Sequence, residues 1–579
     1  MSETLIDPTR SRELPPPVTG VWEAPLAPFL ERHSVFLCLC FVVIACTRII
    51  SSYSALSLTV DEPWSLASGM GYLARHSYQI EPVHPPLSRM MVALGPYLIG
   101  AKPSGATYPG LEGINIIAQS KNPNRTIFLM RLGTLPFFIL ACFVVYRWGL
   151  IFGRPLAVMA LALFTLLPGV LADAGLATTD SALGATVGAA FLAAILWSER
   201  PSFFNAAIMG LALATACLSK FSALGYIPAA SFFVLASYVA VRGRRFGALR
   251  EWARQRATTF LFAMIIMAVV IWAVYLFSLG RFQTHGIDIR LPAPEFFEGI
   301  RGTLHHARIG HPAFFLGQFR WKGWWYYFPL VLILKLPIAL LILSATGLWV
   351  CVRRRANSSY LMPLAFSAGI LLPAMAGRID IGIRHIEPIY IGLSLVAALG
   401  LKHMIQWART GLNSALTAGV LMGWIVMSVA AKHPDYLAYF NAFAGGAPEK
   451  LVVDSNYDWG QDLVLLAARL HGLGIHEFSM ASVDGVSGTA IGVHELPHYE
   501  YLQAWYGLPA IKDLNVCSPS PGWNVLSPTV MKSWSRWPGI RWSRPDGTTP
   551  WFEQIAPTER VGPLLLYNVP ANSKLNCKQ

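Results

Sequence analysis

Eleven stretches of about 17–25 mostly apolar residues divide the chain, and that many membrane-length segments leave little room for a soluble fold. They lie near 34–58, 126–146, 155–171, 181–197, 203–218, 222–241, 258–279, 329–350, 360–376, 386–401 and 412–431. Composition agrees: 54% of the 579 residues are hydrophobic and 13% are charged, against about a quarter charged in a typical soluble domain. The expected fold class is an α-helical polytopic membrane protein with a small α/β soluble domain at its C-terminal end.

The net charge of +14 could suggest a nucleic-acid partner. Its placement argues otherwise, since no soluble segment carries a basic face with interleaved aromatics. The arginines sit in short loops between apolar runs. Threading the runs alternately with the N-terminus inside puts Arg147 and Arg154, Arg200, the group Arg242, Arg244, Arg245, Arg250, Arg254 and Arg256, then Arg353, Arg354 and Arg355, then Lys402 and Arg409 all on the inner side. That is the orientation the positive-inside rule selects. Residues after 431 then lie outside a cell inner (cytoplasmic) membrane.

The expected domains are a disordered cytoplasmic tail at 1–30, a membrane domain at 31–431 with outer loops at 59–125 and 280–328, and an outer domain at 432–579. The tail precedes an apolar run long enough to remain as a membrane helix, so no cleaved leader is expected. In the first loop, Leu87, Met90, Met91, Leu94 and Leu98 recur at helical spacing and predict a helix lying on the bilayer surface. The second loop ends in Trp321, Trp324, Trp325, Tyr326 and Tyr327, which reads as an interfacial aromatic belt. In the outer domain, 450–454, 476–481, 522–526 and 562–569 read as strands and 461–473 as a helix. Cys517 and Cys577 either pair there as a disulfide or stay as two thiols. The other cysteines lie in or beside apolar runs, as small buried hydrophobes do.

Polar residues gather at the outer helix ends. Asp61 and Glu62 directly follow the first run; a solvated pair closing a helix end is the alternative reading. Asp180 opens the fourth run, where the helix dipole alone would favour an acid, and Asp173 is a weaker candidate of the same kind. Lys220 lies between two runs. Lys335 sits inside an apolar run and must snorkel or find an anionic partner. Arg384 lies in the outer loop 377–385, where Asp380 could pair with it. No compact ligand spacing points to a metal and no cofactor is expected, although a divalent ion stays open.

An Asp-Glu pair after the first run, followed by His84-Pro85-Pro86-Leu87, resembles the GT-C glycosyltransferases. The likeness is to the branch that holds protein O-mannosyltransferases and the lipid A aminoarabinose transferase. Ala177-Thr178-Thr179-Asp180 resembles that branch's second acidic motif, and Lys220-Phe221-Ser222 and Arg384-His385-Ile386-Glu387-Pro388 its later basic motifs. The segments 323–329, 334–337, 439–441 and 453–462 are shared with bacterial members of unassigned substrate. The resemblance implies an inverting transferase of hexosyl or pentosyl groups. Its donor would be a polyprenyl-phosphate sugar, its surroundings membrane lipids, and its acceptor a glycolipid, polysaccharide or protein. By the same resemblance Asp61 would be the general base and Asp180 a second acidic site residue, with Glu62 beside them. His84 would contact substrate, and Lys220, Lys335 and Arg384 would face the carrier phosphate. The acidic run 454–462 is foreign to the better-studied members; it either contacts the acceptor or forms a strand-to-helix turn capped by Asp458 or Asn456.

The acceptor hydroxyl is a poor nucleophile and needs a carboxylate to take its proton. A phosphate leaving group needs only cations. The rival readings are a lipid-linked glycan transporter or flippase and a non-catalytic scaffold. A transporter needs polar residues across the membrane midplane, whereas these lie at one face, and a scaffold leaves the acids and cations there unexplained. Orientation is testable directly: in Lys102→Cys and Lys512→Cys variants, both new thiols are expected to react with an impermeant reagent in intact cells. Protection of either thiol until lysis overturns the topology.

Overall fold

Within a bilayer every backbone polar group must be satisfied inside the protein, which favours helices wherever the chain is apolar. The computed structural model describes residues 23–242, 246–284, 287–355, 357–407, 411–482, 500–536 and 543–578. Most of the expected tail, together with Arg244, Arg245 and Arg409 of the arginine clusters, lies outside the described residues. From Glu23 onward the expected tail is helical, as part of Glu23–Arg32.

Each of the expected apolar runs coincides with helix. Among the described residues seven helices are long and apolar enough to cross a membrane: Ser34–Ser52, Pro123–Phe152, Asp180–Glu199, Ala223–Val241, Arg250–Val274, Ser358–Met375 and Ile389–Gln406. Arg154–Phe164 and Pro168–Ala174 form a further pair bent by 66°; Pro168 opens the second piece, where its missing N–H costs nothing. Phe203–Ser219, Ile338–Arg353 and Leu416–Ala430 are shorter apolar helices. Close packing relies on small residues, as is usual between membrane helices. Gly347 of Ile338–Arg353 faces the Val396 carbonyl of Ile389–Trp407, and a Cβ there would collide with backbone.

Between the first two spans, helix Asp61–Arg75 packs on both Pro86–Leu98 and Pro109–Ala118. In Pro86–Leu98 the packing face is Arg89, Val92, Ala93 and Pro96. The expected apolar stripe stays half-buried or exposed, with Leu98 74% exposed. The second long loop folds as a β1–β2 hairpin (Leu279–Thr284 and Ile287–Pro292), the helix Pro294–Ile309 and a short β3–β4 hairpin (Ala313–Phe315 and Gln318–Arg320). Its aromatic end is only partly a belt. Trp321 and Trp325 are exposed, whereas Trp324 and Tyr327 are buried in the core, because the Tyr327 hydroxyl receives an Asn456 N–H at 2.7 Å.

After the last membrane helix the chain forms a five-stranded sheet of order β6-β5-β7-β9-β8 (Ala510–Asp513, Glu477–Ala481, Gly522–Leu526, Leu564–Val569, Glu559–Val561). β5 runs parallel to β6 and β7, and β9 runs antiparallel to β7 and β8. Leu463–Gly472 is the expected helix. The strand expected at 450–454 is instead a pair of 3-10 turns, Pro448–Lys450 and Asp454–Asn456, with a single bridge from Val452 to Phe315. Cys517 and Cys577 pair as a disulfide.

The expected cap is also placed differently. Asp462 precedes Leu463–Gly472 without a side-chain cap bond, and the Asp458 carboxylate accepts the Ser527 hydroxyl at the start of helix Pro528–Lys532. Burial pushes Asp458 up to about 6, against about 3.9 in an unfolded chain. Between these values the folded state holds more protons than the unfolded one, so stability falls as pH rises through the window. Asp458→Asn stays neutral, and its melting temperature is expected to fall less than the wild type's between about pH 4 and pH 6. Equal slopes in intrinsic-fluorescence melts would clear Asp458 of this role.

Candidate active site

Three helix ends and one 3-10 turn deliver the charges of the site. Asp61 is the first residue of Asp61–Arg75 and Asp180 the first of Asp180–Glu199. Both acids thus meet the positive end of a helix dipole. Lys220 follows the last residue of Phe203–Ser219, where a cation meets the negative end. Arg384 lies in the 3-10 turn Ile383–Ile386, just before Ile389–Trp407.

Their side chains form one network. Arg384 Nη1 donates to Asp61 Oδ2 at 2.9 Å and to Asp180 Oδ2 at 3.1 Å. Lys220 Nζ donates to Asp180 Oδ1 at 2.5 Å. Asp180, Lys220 and Arg384 are buried, while the Asp61 side chain is 42% exposed. Burial alone would lower the proton affinity of the Arg384 guanidinium, but the Asp61 and Asp180 carboxylates raise it above the ordinary range. Asp380, the alternative partner, instead accepts the Trp324 backbone N–H at 2.6 Å.

His84 stands beside the network, its Nδ1 3.2 Å from Glu81 Oε2. Burial and the nearby Lys220 charge push it down to about 4, so the ring is neutral at pH 7. Sequence reasoning missed three neighbours. Ser455 Oγ accepts the Arg384 Nε–H at 3.0 Å. The Trp459 ring lies 4.0 Å from the guanidinium, within cation–π range. His385 is held low by burial and by Lys220 and Arg384. All three stand in segments quoted for the resemblance, but nothing in their spacing shows that they would meet. Polar atoms without a hydrogen-bond partner among the described residues lie on the same motifs: Thr178 Oγ1, Ser222 Oγ and His385 Nε2. Such buried atoms are rare unless something else completes them.

Two expected site residues are used elsewhere. Glu62 does not face the network. It is wholly buried and takes Arg131 Nε and Nη2, each at 2.8 Å, together with the N–H groups of Thr59 at 2.8 Å and Ala177 at 2.9 Å. Burial alone would raise its pKa, but the Arg131 charge and these donors hold it below the usual carboxylate range. With both oxygens engaged it braces the site instead of reacting in it. Lys335 is buried with its ammonium on the carbonyls of Leu437 at 2.6 Å and Asn456 at 2.7 Å, over the Phe440 ring. It therefore anchors the segment 454–462 and does not meet the Asp180 network. Asp173 lies buried against Glu387.

Residues 38–285 match the family of dolichyl-phosphate-mannose-protein mannosyltransferases. The match takes in Asp61, His84, Asp180 and Lys220 but stops short of Lys335 and Arg384, and it covers less than half of the chain. Over residues 38–285 the chain is thus similar in sequence to the branch that its motifs resemble. No curated protein matches the chain in sequence. Among solved structures, ArnT from Cupriavidus metallidurans bound to undecaprenyl phosphate is similar, with 13% identity, 93% of this chain and 99% of that chain covered, and a TM-score of 0.48. The archaeal oligosaccharyltransferase AglB from Archaeoglobus fulgidus, in complex with an inhibitory peptide and a dolichol-phosphate, gives 12%, 86%, 70% and 0.46. Neither likeness bears on individual residues. Among the described residues no group of three or more His, Cys, Asp or Glu side chains is arranged to hold a metal ion.

The brace and the network separate by experiment. Glu62→Gln leaves Arg131 buried without its counter-charge, and is expected to cost about 3–5 kcal/mol of stability. Asp61→Asn, at the partly exposed end of the network, should melt close to the wild type. Equal melting of wild type and Glu62→Gln in detergent would refute the bracing role.

Proposed function

We propose that the chain is an inverting glycosyltransferase that moves a hexosyl or pentosyl group from a polyprenyl-phosphate carrier to an extracytoplasmic glycolipid, polysaccharide or protein. The observation that carries this reading is the joining of Asp61, Asp180, Lys220 and Arg384 in one network at helix ends. Such a network suits attack by a hydroxyl on a sugar whose leaving group is a phosphate. The acceptor O–H gives its proton to Asp61, the partly exposed carboxylate, as its oxygen bonds to the anomeric carbon. The bond from that carbon to the phosphate oxygen breaks, and the departing phosphate keeps the electron pair, held by Arg384 and Lys220. His84, neutral at pH 7, can donate to or accept from the substrate without adding charge.

Placement outside a cell inner membrane, with the N-terminus inside, is supported by the one-sided arginines. The Cys517–Cys577 disulfide suits an oxidising compartment. A transporter would place such groups along a path across the bilayer; these charges gather at one end of the helices.

Deleting the gene should make one carrier-linked sugar accumulate and one glycoconjugate lose that sugar, which identifies donor and acceptor for an assay in nanodiscs. Asp61→Asn keeps the side chain's shape but takes no proton, so turnover should fall by about 10² or more with donor binding nearly intact. Near-normal turnover in Asp61→Asn with loss in Asp180→Asn would move the base to Asp180. Activity in both variants would overturn the mechanism.

A further inference from the structure

The segment 454–463, contributed from beyond the last membrane helix, touches both sides of the Asp61–Arg384 pair. On the Arg384 side, Ser455 Oγ accepts the guanidinium Nε–H at 3.0 Å and donates to the Ile381 carbonyl at 2.8 Å. Asn456 Oδ1 accepts the Ile383 N–H at 2.9 Å, and the Trp459 ring covers the guanidinium at 4.0 Å. On the Asp61 side, the Trp459 carbonyl accepts the Val60 N–H at 3.3 Å and the Gln461 carbonyl the Ser57 N–H at 2.9 Å. The Ser57 hydroxyl donates to the Gly460 carbonyl at 2.6 Å and accepts the Leu463 N–H at 2.9 Å.

The segment is itself held firmly. Lys335 donates to the Asn456 carbonyl at 2.7 Å. Asp454 is kept in a left-handed conformation (φ 63°), its N–H on the Thr529 hydroxyl at 2.9 Å and its carbonyl accepting the Tyr457 and Asp458 N–H groups. A non-glycine residue in that region is uncommon and persists where its surroundings over-determine it. Ser455 and Trp459 are almost fully buried, so neither is a flexible surface contact.

We propose that Ser455 and Trp459 are positioning residues for Arg384, so that the region after the last membrane helix forms one wall of the active centre. The inference rests on the reading that Arg384 holds the carrier phosphate. An arginine side chain has many rotamers, and two carboxylates on one nitrogen leave its plane free to tilt. The Trp459 face and the Ser455 oxygen fix that plane, and the backbone ties to Ser57 and Val60 fix the distance from Asp61. The remaining guanidinium donors, both on Nη2, are then presented to the phosphate in one orientation.

The test is equilibrium binding of undecaprenyl phosphate to the full chain in nanodiscs, beside thermal melts of each variant. Trp459→Leu is expected to weaken binding about five- to thirtyfold, and Ser455→Ala about two- to tenfold. Both side chains are buried, so each variant also melts below the wild type and is compared while folded. Trp459→Phe, which keeps an aromatic face, should recover most of the loss; simple loss of packing would not be rescued in binding alone. Arg469→Ala, which removes an exposed pair with Glu559 in the same region, should bind as wild type does. Should Trp459→Leu fail to fold, Ser455→Ala decides. If wild type binds and Arg384→Gln does not, wild-type affinity in folded Ser455→Ala overturns the positioning role while the phosphate reading stands. If wild type does not bind, or Arg384→Gln binds equally well, the phosphate reading itself falls and this inference with it.

Discussion

A buried ion pair holds the site's foundations together. Arg131, wholly enclosed, gives its Nε and Nη2 to Glu62 and uses its other donors on the carbonyls of Tyr53 and Leu56 through Nη1 and of Ser57 through Nη2, at 2.6–2.8 Å. Those carbonyls belong to the stretch where the first span ends and turns toward Asp61. Glu62 in turn accepts the N–H of Ala177, three residues before Asp180. One guanidinium therefore fixes the end of the first span, the start of the helix carrying Asp61 and the approach to the helix carrying Asp180. Removing two charges from water costs several kcal/mol for each ion, and only near-complete hydrogen bonding offsets that. Here both ions are so engaged, which makes the brace rigid and intolerant of losing either partner.

On that foundation the electrostatics of the network follow from helix geometry. Acids begin Asp61–Arg75 and Asp180–Glu199, and a cation follows Phe203–Ser219, so these three charges agree with their own helix dipoles. Arg384, ahead of Ile389–Trp407, relies instead on the two carboxylates. Confinement to helix ends also spares the lipid-facing lengths of the spans from charges that hydrocarbon would penalise. Two acids and two bases nearly cancel, and the burial of Asp180, Lys220 and Arg384 is sustained by that balance.

The spans were legible because a long apolar run in so sparsely charged a chain has few other fates. Asp61, Asp180, Lys220 and Arg384 were legible for a related reason: charges beside apolar runs need partners, and topology put them at one face. Glu62 misled because it neighbours Asp61 in sequence, yet successive helical residues point about 100° apart. One carboxylate therefore enters the network and the other enters the core. Lys335 misled because an ammonium inside an apolar run suggests an anionic ligand, whereas two backbone carbonyls and the Phe440 ring satisfy it. Residues 450–454 read as a strand because Leu451, Val452 and Val453 favour one. The left-handed Asp454 and the ties to Ile381, Ile383 and Thr529 are long-range and leave no local signal.

On the proposed reading, the Asp61–Arg384 bond also couples the two halves of the reaction. Arg384 Nη1 is shared between Asp61 and Asp180. An arriving phosphate adds negative charge beside the same guanidinium and competes with both carboxylates for it. Asp180 keeps Lys220 as a second cation at 2.5 Å, whereas no second cation pairs with Asp61 among the described residues. The competition therefore falls mainly on Asp61. Asp61 thereby gives up part of its contact with Arg384, which leaves a carboxylate oxygen to receive the acceptor O–H. The partly exposed position of Asp61 leaves it open to that acceptor, while the buried Asp180 keeps Lys220 in place as a cation for the leaving group.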